Sequence, residues 1–167
     1  MSTYHTDLDH PLRRKDKQIT EEHELLDIIQ GQKLMTLAMC KDQDPYLVTL
    51  NYGFDLEAKC FYFHCAKEGK KLAYLIANPI VWGQVLEDHG YLDGECSHAF
   101  RTVQFRGRVA FLDDVEAKRA ALHLMIDQLE SDPGPIKERL TKSAGLKNVV
   151  VGKIQVDYLS GKQNDIA

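Results

Sequence analysis

Apolar residues change their rhythm several times along this chain, and each change marks an element. Leu25, Leu26, Ile28 and Ile29 form a helical stripe that ends at Gly31, with Thr20 as the expected N-cap and Glu21 and Glu22 in the first turn. From Leu34 the rhythm becomes that of strands: LMTLAMC at 34–40, YLVTLNYGF at 46–54 and CFYFHCA at 60–66. The polar stretches between them, KDQDP at 41–45 and DLEAK at 55–59, are short enough to make an antiparallel meander. A helix over 67–77 follows, stopped by Asn78-Pro79, and IVWGQVL at 80–86 is again a strand, with Trp82 expected in the core.

Residues 87–96 are polar and glycine-containing and are expected to be a loop. The long alternation AFRTVQFRGRVAFL at 99–112 predicts one extended strand, bent or bulged at Gly107. Asp113 or Asp114 can cap a helix to Leu129 with Leu122, Met125, Ile126 and Leu129 on its buried face, and Asp132-Pro133-Gly134-Pro135 separates it from a short charged helix. The β-branched run at 148–159 is a closing strand that Ser160-Gly161-Lys162 ends. About six strands with hairpin-like links and three or four helices predict a mainly β fold, a small antiparallel barrel with helices packed outside it. Without a βαβ rhythm or a GxGxxG after a strand, a doubly wound sheet is disfavoured.

Composition adds bounds. The 167 residues, 44% hydrophobic, suit a single domain over 1–167 with an N-terminal arm at 1–18. A net charge of −4 with scattered Lys and Arg offers no basic face for nucleic acid. The absence of a leader-like apolar segment or a membrane-length run predicts a cytoplasmic protein with no membrane partner. Four cysteines without CxxC spacing read as buried thiols, and no metal site is expected.

The candidate chemistry lies where the third strand meets its helix. Gly69 makes the turn, and Lys70 and Lys71 open the helix, where unpaired N–H groups and the dipole favour an anion such as a phosphate. A solvated helix start is the bland alternative, although two cations at the positive end of a dipole are locally unfavourable. His64, on the strand feeding the turn, is either a cofactor-side imidazole with a candidate catalytic role or a structural histidine. No Ser/His/Asp order, HExxH or paired carboxylate stands out, which is consistent with a cofactor doing the chemistry.

The blocks LRRKDKQIT, PYLVTLNYGF, FYFHCAKEGKKLAYLIANPIVWGQV, FRTVQFRGRVAFLDDVEAKRAALHLM and KIQVDYLSGK resemble, in order and spacing, the nitroimidazole-resistance branch of the pyridoxamine 5′-phosphate oxidase-like superfamily. That resemblance implies an FMN-binding split barrel that forms a homodimer, with the flavin at the subunit interface. Lys70-Lys71 and Asn78-Pro79 keep the family's spacing, Gly69 matches its turn glycine and His64 its strand-end histidine. By the same resemblance Thr49 and Asn51 face the flavin ring, and Arg101, Thr102 and Gln104 pass near the cofactor. The implied activity is an FMN-dependent oxidoreductase acting on a small electron-poor substrate, a nitroimidazole among the candidates. The alternatives are a non-enzymatic flavin- or haem-binding protein, with His64 as axial ligand, and a dimer with a vestigial pocket. A pyridoxamine phosphate oxidase proper is disfavoured because the tail DYLSGKQNDIA lacks an Arg-rich ending.

Overall fold

The computed structural model describes residues 12–164. Its elements are β1 (Gln18–Ile19), α1 (Glu22–Gly31), β2 (Leu34–Lys41), β3 (Asp44–Asn51), β4 (Gly53–Asp55), β5 (Cys60–Cys65), α2 (Lys70–Ala77), β6 (Ile80–Leu92), β7 (Ser97–Phe111), α3 (Val115–Leu129), α4 (Pro133–Leu140), α5 (Ser143–Leu146) and β8 (Val150–Asn164). The sheet runs β3-β2-β6-β7-β8-β5-β4, and its neighbours pair antiparallel. β3 and β4 are separated only by Tyr52, so the two ends of this path belong to one bent stretch of chain, and the sheet comes round as a barrel. The expected six strands and the eight found are thereby reconciled: β3 and β4 are two arms of one stave, and β1 is a short addition on β8.

Closure is incomplete. β5 pairs with β4 only from Cys60 to Tyr62, whereas Phe63, His64 and Cys65 pair with β8 alone. β3 pairs with β2 along Asp44–Asn51 and carries no second ladder. The two edges part beyond Tyr52, which is the split of a split barrel.

The interior is filled by alternate residues of each stave: Met35, Leu37, Val85, Val103, Phe105, Phe61, Phe63 and Ile154 are all buried. Phe61 stacks on Phe105 at 4.2 Å between ring centroids, and Tyr52 and Phe54 pack against Phe61. α1 closes one end with Ile28 and Ile29, while α3 lies on the outside of β4 and β5. Asp114 caps α3 by accepting from the Ala117 N–H at 2.7 Å, a contact of the kind worth about 1 kcal/mol.

Several boundaries differ from those read in the sequence. Residues 1–11 of the expected arm lie outside the described residues, but its end is tied down: Lys15–Lys17 make a 3-10 turn and Gln18 begins β1. Glu21, not Thr20, is the N-cap of α1, because the Thr20 hydroxyl turns to Glu21 Oε1. The first hairpin turns on Asp42 and Gln43 alone, both at positive φ, which matches the twist of the flanking strands.

Of residues 87–96, only 93–96 form the connecting turn, and 87–92 are strand. β6 and β7 continue past a bulge after Asp88, with Tyr91 opposite His98 and Leu92 opposite Ser97. Polar side chains hold this extension: Arg101 pairs with Glu87 at 2.7 Å, and His98 Nε2 lies 2.6 Å from Asp88 Oδ1. The bulge expected at Gly107 is present as a register shift against β8. β8 runs through Ser160-Gly161-Lys162, since Gly161 leaves the space that Leu25 and Ile19 occupy. Of the cysteines, Cys60 is buried and Cys65 partly so, while Cys40 and Cys96 are exposed, and all four are free thiols.

Trp82 is not in the core. Val81, Gly83 and Val85 take the inward positions of β6, which turns Trp82 outward, 41% exposed and edge-on to Tyr158. Register places Leu47, Ala38, Trp82, Arg106 and Tyr158 in one row across β3, β2, β6, β7 and β8. The next row is Thr49, Thr36, Gln84, Gln104 and Ser160, neutral throughout. With Leu34 and Leu86 also exposed, this face of the barrel carries apolar surface in water.

Candidate functional site

The split holds a cavity of about 320 Å³. Tyr46 and Val48 line it from β3, Cys65 from the end of β5, and Glu68, Gly69, Lys70 and Lys71 from the start of α2. Local sequence accounts for this convergence. The chain leaves β5, turns at Gly69 with φ of 134°, a conformation only glycine adopts easily, and enters α2 directly. Asn78 ends the helix, donating to the Cys40 carbonyl and accepting from the Ile80 N–H, which ties both β2 and β6 to the helix end.

The N-terminus of α2 is open in a chemical sense. Gly69 supplies no side-chain cap, the first turn has no acidic residue, and the first N–H groups have no partner within the helix. Among the described residues neither ammonium meets a carboxylate. Lys70 Nζ lies over the rings of Tyr46 (4.6 Å) and Tyr74 (5.3 Å), and Lys71 Nζ lies 5.7 Å from the centre of Phe63. Aromatic faces steady the cations without neutralising them. The Tyr74 hydroxyl donates to Asp44, which holds its own ionisation up to about 12 and pins α2 to the first hairpin. Glu68 is the one carboxylate in the cavity wall.

The residues singled out in the sequence fall into separate places. Gly69, Lys70 and Lys71 line the split. Thr49 and Asn51 lie on the outward face of β3, as alternation with Leu47 requires, with Thr49 Oγ1 3.0 Å from Thr36 Oγ1 and Asn51 Nδ2 donating to the Lys33 carbonyl. Thr102 and Gln104 share that uncovered face through β7, and the buried Thr102 hydroxyl donates to the Val85 carbonyl and accepts from Gln84. Arg101 is engaged with Glu87 near the β6–β7 extension. Within one chain the structure does not bring these three β7 residues to the lysine pair.

His64 points the other way from Cys65, out of the barrel, into a second, apolar cavity beneath α3, α4 and α5. Burial lowers its pKa from the ordinary 6.5, and the Lys71 ammonium lowers it further. Burial likewise raises the Cys65 thiol, with Lys71 opposing. A depressed imidazole binds fewer protons folded than unfolded between its folded value and 6.5, so its contribution to stability is present above 6.5 and lost as the pH falls. We expect His64→Gln to flatten part of the loss of stability seen between about pH 7.5 and about pH 5 in urea unfolding. An unchanged pH profile contradicts that assignment.

Sequence reasoning missed Tyr46, Val48 and Cys65, and the Tyr74–Asp44 tie. The signal existed in the alternation of β3, which sets Tyr46 and Val48 opposite Thr49 and Asn51.

A family model, pyridoxamine 5′-phosphate oxidase, matches residues 21–163. The chain belongs to this pyridoxamine 5′-phosphate oxidase family. Proteins of known structure share its barrel. A candidate 5-nitroimidazole antibiotic resistance protein from Bacteroides thetaiotaomicron is 26% identical, with a TM-score of 0.74 over 87% of this chain and 86% of that one. A FAD and heme binding protein from Mycobacterium smegmatis matches at 20% identity and TM-score 0.75, over 90% of this chain and 74% of that one. A flavocytochrome from Azotobacter vinelandii matches at 17% and 0.80, over 96% and 75%. Comparison with curated protein sequences gives no match. For this member of the pyridoxamine 5′-phosphate oxidase family, then, the fold is shared with these structures, and the lysine pair lines the split.

Proposed function

We propose that the chain binds FMN in the split and is a flavin-dependent oxidoreductase for a small electron-poor substrate. The observation that carries this is the pairing of two ammonium groups, neither neutralised by a carboxylate, with the uncapped start of α2 at the mouth of the β3–β5 gap. Lys70, Lys71 and the N–H groups after Gly69 would hold the phosphate. The free edge of β3 along Tyr46, Val48 and Leu50 offers backbone donors and acceptors to a ring system entering the gap. FMN supplies hydride and electron transfer when bound, and the protein supplies orientation and exclusion of water.

The function is that of a homodimer. Pairing the uncovered face of two copies would bury Leu47 and Trp82 and bring Thr49, Asn51, Thr102 and Gln104 of one protomer near the split of its partner, completing a site that one chain leaves open. The similarity to the Bacteroides protein supports a nitroimidazole as one electron-poor substrate. The free thiols suit a reducing cytoplasm, and among the described residues no helix is long and apolar enough to cross a membrane.

Haem is the competing cofactor, since two of the structural relatives are a heme binding protein and a flavocytochrome. The cavity that faces His64 is about 200 Å³, below the roughly 300–1,000 Å³ of sites for drug-sized ligands, which favours flavin over an axial His64. The purified protein is expected to show a yellow two-band spectrum and to release FMN on denaturation, identified by mass. A Soret band, or release of FAD, overturns the reading.

A further inference from the structure

The apolar cavity under α3 is a site that the flavin reading does not use. It occupies about 200 Å³, with walls made by Leu122, Met125, Ile126 and Leu129 of α3, Leu146 of α5, and His64 from the outer face of β5. Its polar inventory is short. The Thr141 hydroxyl is already committed, donating to the Lys137 carbonyl at 2.7 Å and lying 2.9 Å from His123 Nε2. His64, a solvent-exposed residue at the rim of the cavity, has no hydrogen-bond partner among the described residues, so the rim presents one open hydrogen-bonding position beside an oily space.

From this geometry we infer that the cavity binds a small uncharged aromatic molecule carrying one hydroxyl or N–H group, its ring among the leucines and its polar atom on His64. Size sets the ring: an apolar cavity of about 150 Å³ stays dry and takes benzene, so this one holds a benzene ring with a substituent. Charge is disfavoured because the lining holds no carboxylate and no ammonium, so an ionised ligand would sit unpaired against an apolar wall. Partial desolvation and the Lys71 ammonium both favour the neutral imidazole, which can accept from a hydroxyl or donate. The site is separate from the split, because Cys65 and His64 are successive residues on opposite faces of β5, and it does not rest on flavin being bound.

The test uses p-cresol and toluene as probes, titrated into the full chain and followed by calorimetry and by backbone amide shifts. p-Cresol is expected to saturate, with toluene up to about tenfold weaker, the value of one hydrogen bond. His64→Phe should remove that preference while leaving toluene bound, and Met125→Trp should fill the cavity and abolish binding of both. Amide shifts in the unsubstituted protein should cluster at His64, α3 and α5, a readout that survives if Met125→Trp does not fold. No saturation with either probe, equal affinity for both, or shifts centred on Tyr46 and Lys70 would each overturn the inference.

Discussion

Replacing Lys70 and Lys71 together by alanine is expected to weaken FMN by about 10²–10⁴-fold and riboflavin by less than about threefold. Hydrogen bonds to charged groups are each worth about 1.5–3 kcal/mol, and a tenfold change in affinity is about 1.4 kcal/mol, so losing two gives that range. Riboflavin has the same ring and ribityl chain but no phosphate, which isolates the term. Folding should be nearly unaffected, because Lys70 is exposed and Lys71 half-buried, and neither holds a carboxylate. Quenching of flavin fluorescence measures both affinities. Equal losses for the two ligands would place the phosphate elsewhere.

Gly83→Ala is expected to destabilise the barrel by about 1–3 kcal/mol, the ordinary cost of overpacking a core. A Cβ at Gly83 would lie 2.0 Å from Cζ of Phe105 and 2.5 Å from the atoms beside it. The ring cannot swing clear, because Phe105 is fully buried and stacked on Phe61 at 4.2 Å. Gly31 is the built-in contrast: it ends α1 with nothing within 4 Å of its added Cβ. Gly31→Ala should leave stability unchanged or raise it by up to about 1 kcal/mol. Urea midpoints of the two variants, moving apart from the parent, check the pair. A Gly83→Ala midpoint equal to the parent's would mean that the core is looser than its contacts indicate.

Much of this architecture was legible because the chain's local signals agree with its tertiary needs. Apolar patterning marked the strands β2, β5 and β7. Gly107 marked the bulge, since a Cβ added there would come within 2.6 Å of the Gln155 carbonyl oxygen and the position admits no side chain. The strand, glycine turn, lysine pair and Asn-Pro stop were legible as one unit for the same reason: each residue answers a backbone requirement within a few positions. What escaped was set by partners far away in sequence. The extension at 87–92 is polar, and what makes it a strand is its ladder to 97–101, with contacts from Arg101 to Glu87 and from His98 to Asp88. Trp82 looked like core by composition, and its outward turn follows from the inward claim of Gly83, made necessary by a phenylalanine on another strand. His64 and Lys71 are close in sequence, yet the strand face divides them between two cavities.

The outward turn of Trp82 has an optical consequence. It is the sole tryptophan of the chain, so the protein's red-edge ultraviolet emission comes from a single indole on the uncovered row. Emission colour tracks how wet that indole is, and any body that settles on this face, a second copy included, announces itself there without a label.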